Sequence, residues 1–159
     1  MPTQTTCVFC EIIAGRIPCF KLHEDAETIA FMDVNPVSPG HCLVVPKECA
    51  ANLVESSSDA LIATIRVVQR MVKVVDAVLQ PDGVSVFQAN GKGSGQQVFH
   101  THFHVIPRHT GDGLHDGFRV KPELKDSVRA FGEKIRDGIA LSNSSPTSAR
   151  GGTSRVNSK

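Results

Sequence analysis

From residue 59 onward, apolar side chains return every three or four positions, at Leu61, Ile65, Val68, Met71, Val72, Val75 and Leu79. That period puts them on one face of a helix spanning 59–79. Ser58 or Asp59 suits its N-cap, and Pro81 ends it. Val67, Val74 and Val78 widen the face until apolar residues cover roughly half the circumference, more than contact with one sheet requires. Such a helix either tucks into a concave sheet or also lines a homodimer interface. A second helix is predicted over 122–141, with Leu124, Val128, Phe131 and Ile135 on its apolar side and Pro122 in its first turn. The remaining pattern is one of short strands at 20–24, 27–33, 42–46, 84–89 and 98–107. Turn residues separate them, notably Asn35-Pro36, Ser38-Pro39-Gly40 and Pro81-Asp82-Gly83. Spacings this short between the early strands favour hairpins and an antiparallel sheet. Residues 142–159 offer almost nothing to bury, which predicts one domain over 1–141 and a disordered tail.

Composition narrows the function classes. A chain of 159 residues suits one domain with a modest core. Its net charge of +1, without a Lys/Arg block, argues against a nucleic-acid or anionic-membrane partner. Apolar runs are too short to span a bilayer, and the N-terminus lacks the basic-then-apolar secretory pattern. Five cysteines, two of them as Cys7-x-x-Cys10, do not read as a disulfide framework; a metal site or a redox dithiol fits better. A cytoplasmic domain is the expectation.

The candidate chemistry lies at Val98-Phe-His-Thr-His-Phe-His-Val-Ile-Pro-Arg108. On a strand, His100, His102 and His104 project from one face in a row about 13 Å long, at ~3.3 Å per residue; β-branched and aromatic neighbours favour a strand. Such a row suits metal ligation, nucleophilic catalysis, or anion binding by protonated rings. The glycine-rich run from Asn90 to Gln97 comes directly before it. Glycines let backbone N–H groups approach an oxyanion, so the pairing suggests a phosphate cradle beside a nucleophile.

The run from Gly95 to Ile106 resembles the signature of the histidine triad (HIT) family of nucleotide hydrolases and transferases. The resemblance continues upstream through Cys7-Val-Phe-Cys-Glu-Ile-Ile-Ala-Gly-Arg-Ile-Pro18, Ala30-Phe-Met-Asp-Val-Asn-Pro36 and Gly40-His-Cys-Leu-Val-Val-Pro-Lys47. With Cys-x-x-Cys and Ile106-Pro107-Arg108, the chain is most similar to the bacterial-type branch. The resemblance implies an α+β fold: a five-stranded antiparallel sheet, one long helix and a C-terminal helix, the sheet extended across a homodimer. It implies hydrolysis at the α-phosphate of adenosine or other purine 5′-phosphate derivatives such as phosphoramidates, through a nucleotidyl-histidine intermediate. His102 would be the nucleophile, His104 would contact the phosphate and assist the leaving group, and His41 would lie close by. Amides of Gly95, Gln96, Gln97 and Val98 would meet the phosphate and Asp33 the ribose hydroxyls, while Val8, Phe9, Ile12, Phe31 and Val34 would sandwich the base. Ordinary core packing is the alternative for these five, and Ile12 and Phe31 read equally either way. Two positions depart from the family pattern: Gln97 replaces Ser or Thr, and the polar position before the loop falls on Ala89, with Asn90 one step later as its substitute. A related uridylyltransferase branch implies structural Zn²⁺ on Cys7, Cys10, Cys49 and His100, leaving Cys19 and Cys42 as core.

Other readings stay open. One is a metallohydrolase using all three histidines, although 84–108 holds no carboxylate partner. Others are dinucleoside polyphosphate hydrolysis, a non-catalytic nucleotide-binding scaffold, and thiol–disulfide cycling at Cys7 and Cys10.

Overall fold

The computed structural model describes residues 7–114 and 119–144. Five strands, β1 (Lys21–Glu24), β2 (Thr28–Met32), β3 (Cys42–Pro46), β4 (Gly83–Phe87) and β5 (Phe103–Arg108), form one sheet of order β1-β2-β3-β5-β4. Every neighbouring pair is antiparallel. The predicted α+β architecture with a five-stranded antiparallel sheet is therefore the one observed.

The central strands are buried on both faces, β2 and β3 along their whole length, and alternation sorts their side chains between two cores. Ala30, Met32, Cys42, Val44 and Val105 face the helices α2 (Ser58–Leu79) and α3 (Val128–Ser144), meeting Val68, Met71, Val75 and Ile135. Ile29, Phe31, Leu43 and Val45 face the opposite way, toward Phe9 on a short helix, α1 (Val8–Ile13). The sequence pattern did not predict α1, because six residues are too few to display a helical period.

Helix α2 matches its periodicity, but its N-cap is Ser57, whose hydroxyl accepts from the Ala60 amide. Ile65, assigned to the apolar face, is about half exposed. The predicted helix from residue 122 begins as a 3₁₀ turn (Pro122–Ser127) before α3 takes over. That helix continues through residue 144, past the predicted tail boundary; the rest of the predicted tail lies outside the described residues. Gly40, at φ +87°, turns the chain into β3, and a Cβ there would collide with the Leu79 side chain and crowd Pro107. No described helix is long and apolar enough to cross a membrane.

Candidate functional site

Strand β5 starts only at Phe103, so His104 sits in the ladder while His100 and His102 precede it in an irregular segment. The predicted strand from residue 98 is overridden because Thr101 donates its amide to Ala50 O, in a loop, at 2.8 Å. Even so, His102 and His104 remain neighbours, with ring centroids 4.9 Å apart.

Hydrogen-bond partners assign the proton on each ring, since a carbonyl can only accept and an amide N–H can only donate. His102 Nδ1 lies 2.6 Å from His100 O, so Nδ1 carries the proton and Nε2 keeps its lone pair. Phe9 stands edge-on to this ring at 5.1 Å. Burial lowers the His102 pKa and favours the neutral, nucleophilic form. His41 Nδ1 accepts the Val37 amide at 3.3 Å, which puts its proton on Nε2. That proton goes to His104 Nδ1, 2.9 Å away, with Asp33 Oδ2 at 3.5 Å on its flank. His104 consequently carries its own proton on Nε2. Burial, reinforced by the neighbouring imidazoles, pushes His41 down to about 4 and His104 to about 3. All three rings are neutral near pH 7.

These groups border a cleft of about 420 Å³, within the size range of small-molecule sites. Val8, Phe9, Ile12, Phe31, Asp33 and Val34 line it together with Gly95, Gln96, Gln97, Val98, His41, His102 and His104. The loop reverses at Gly91 and Gly95, with φ +84° and +88°. The Gln96 side chain is spent inside it, accepting from Gly91 N and donating to Ala51 O and Val98 O. Asn90 does not border the cleft: it is exposed, accepting from Leu53 N at 2.9 Å and pairing with Gln88. Ala89 lines the wall instead. The sequence reading missed Ile17, Leu43, Phe87 and Val120, which also line the cleft. Phe87 pairs with His104 across the ladder, a contact that strand register alone would have suggested. Cys42 is core as expected, but Cys19 borders the cleft rather than packing wholly inside.

On the other side of the triad, His100 is fully buried and donates Nε2–H to Pro46 O at 2.8 Å. Its bare Nδ1 faces Cys7 Sγ at 3.4 Å and Cys10 Sγ at 3.5 Å. Cys49 Sγ lies 3.1 Å from Cys10 Sγ. Burial, with hydrogen bonds from Cys49 and Cys7, pushes the Cys10 thiol up to about 12. The Cys10 thiol stays protonated unless a cation supplies charge, and the soft sulfurs of Cys7 and Cys10 beside the neutral His100 imidazole suit zinc. Asp33, His41 and His104 form another donor group among the described residues, but the His41 Nε2–H is already donated to His104 Nδ1.

The HIT domain family matches residues 14–111, more than half of the chain. Adenosine 5′-monophosphoramidase of Schizosaccharomyces pombe is 38% identical over 135 residues, covering 84% of this chain and 98% of the relative. The Candida albicans protein of the same activity name is 34% identical over 145 residues, covering 88% and 95%. The crystal structure of a zinc-bound histidine triad family protein from Mycobacterium smegmatis superposes with TM-score 0.76 at 32% identity, covering 87% of this chain and 96% of that one. With the triad, the glycine loop and the sheet all in place, the chain belongs to the HIT family.

Proposed function

We propose that the protein hydrolyses adenosine 5′-phosphoramidates or related purine 5′-phosphate derivatives at the α-phosphate, through a covalent intermediate on His102. The carrying observation is the 2.6 Å bond from His102 Nδ1 to the His100 carbonyl, which leaves Nε2 bare at the cleft. Two relatives named adenosine 5′-monophosphoramidase support the substrate class.

The His102 Nε2 lone pair attacks phosphorus, and the P–N bond breaks with its electrons going to the leaving nitrogen. The nitrogen takes up one proton and departs as an amine. Water then attacks the nucleotidyl-imidazole, Nε2 recovers its lone pair, and the proton returns to solvent. His104 Nε2–H donates to a phosphoryl or leaving-group oxygen or nitrogen, held in that tautomer by His41. Amides of the glycine loop meet the phosphoryl charge. Phe9 and Phe31, packed edge to face with centroids 5.6 Å apart, would form one wall of the base slot, and Asp33 would meet the ribose. Zinc on Cys7, Cys10, Cys49 and His100 would supply charge neutralisation and cross-linking of α1 to the triad segment. Exposed Ile62 and Ile65 on α2 and Val86 on the edge strand β4 support a homodimer that continues the sheet. The proposed setting is cytoplasmic.

Dinucleoside polyphosphate hydrolysis is the weaker reading. Among the described residues no Lys or Arg lines the cleft, and the four histidines of the site are held toward neutrality. A polyphosphate leaving group would therefore find no fixed countercharge. The test is acid-free trapping of radiolabelled adenosine phosphoramidate on wild-type protein and on His102→Ala. Label on wild type alone supports the mechanism; equal turnover by both ends it, and no turnover by either favours a scaffold.

A further inference from the structure

Because His102 lies outside the sheet ladder, something other than a neighbouring strand must hold its backbone. Thr101, between the two histidines, is fully buried. Its amide donates to Ala50 O at 2.8 Å. Its hydroxyl lies 2.8 Å from Ser56 Oγ, and Ser56 Oγ donates to Asn52 O at 2.9 Å. The Thr101 hydroxyl also reaches Ala50 O at 3.3 Å, so the hydroxyl pair ties the triad segment to Ala50 and, through Ser56, to Asn52. The same loop accepts from Gln96 at Ala51 O and donates from Leu53 N to Asn90. One loop thus anchors both the glycine run and the segment carrying the nucleophile.

We infer that Thr101 and Ser56 are positioning residues for His102, their hydroxyl pair fixing the peptide whose His100 carbonyl orients the attacking imidazole. Neither lines the cleft, so neither touches substrate. The inference rests on the reading that His102 Nε2 attacks phosphorus. An ångström of misplacement at a reacting atom costs about 10²-fold in rate.

The experiment compares Thr101→Val, Thr101→Ser and Ser56→Ala in the full chain. Its readouts are kcat and KM for adenosine phosphoramidate, the Kd for AMP, and the His102 Nδ1–H proton resonance. Expected are a kcat loss of about 10²-fold in Thr101→Val and about 10-fold in Ser56→Ala, unchanged AMP affinity, and a shifted or broadened resonance. Thr101→Ser, which keeps the hydroxyl, restores all three. Unchanged kcat in Ser56→Ala with an unmoved resonance, a rise in KM alone, or a Thr101→Ser loss as large as that of Thr101→Val overturns the inference. If Thr101→Val fails to fold, Ser56→Ala and Thr101→Ser decide. The resonance needs no turnover, so an inactive wild type would sink the proposed reaction while the positioning role is still read.

Discussion

His100 and His102 are two residues apart, yet they stand in opposite chemical settings. His100 commits one nitrogen to Pro46 O and turns the other to sulfur, with no exposed surface. His102 commits one nitrogen to the His100 carbonyl and turns the other to the cleft. Both rings are neutral for the same reason, burial. In the proposed mechanism, a zinc-binding and a nucleophilic imidazole differ only in what the bare nitrogen faces. On that proposal soft thiols fit one to a cation, and an open wall with no Lys or Arg among the described residues fits the other to a phosphorus centre.

The strongest break in this comparison is His102→Ala, which should lower kcat by at least about 10⁴-fold and leave zinc content unchanged, as read by turnover and metal analysis. The converse is metal removal. If zinc stands near a thousandfold above its Kd it adds ~4 kcal/mol, so a chelator or Cys49→Ser should lower Tm by roughly 8–16 °C. Calorimetry would show this; an unchanged Tm with under one zinc per chain would remove the metal assignment. Next comes His41→Ala, which frees the His104 tautomer and should cost about 10²-fold in kcat.

Acid sharpens the same contrast. The folded state lowers His41 to about 4 and His104 to about 3, from 6.5. Between those values and 6.5 the unfolded chain binds more protons, so these groups' contribution is intact above 6.5 and lost as pH falls toward 4. The slope is up to about 1.4 kcal/mol per pH unit for each ring. Urea midpoints from pH 7.5 to 4.5 should show the decline, and His41→Ala should make it shallower. The smallest effect belongs to Gln97→Ser: a few-fold change in kcat/KM among amine leaving groups, about 1 kcal/mol for one hydrogen bond. Identical ratios would mean that Gln97 does not contact the leaving group.

The sequence made much of the site legible because several of its signals are local. The glycine run precedes the triad by adjacency, and His104 keeps its strand position. Asn90 shows the limit: the loop is one residue too short to decide by counting, and the folded chain spends its amide on Leu53. The N-terminal helix escaped because its formation depends on burying Phe9 against Phe31 and the triad, contacts that no short-range pattern displays.

By itself the chain determined the helix over 59–79, the antiparallel strands and the placing of the glycine run directly before the imidazoles, since period, turn residues and neighbour order act over a few positions. Only tertiary structure brought Cys49 against Cys10, thirty-nine residues away, and Val37 N and His100 O onto the ring nitrogens that set each tautomer. Such distances depend on how strands pair and loops pack, and a proton's place on an imidazole depends on the single atom it meets.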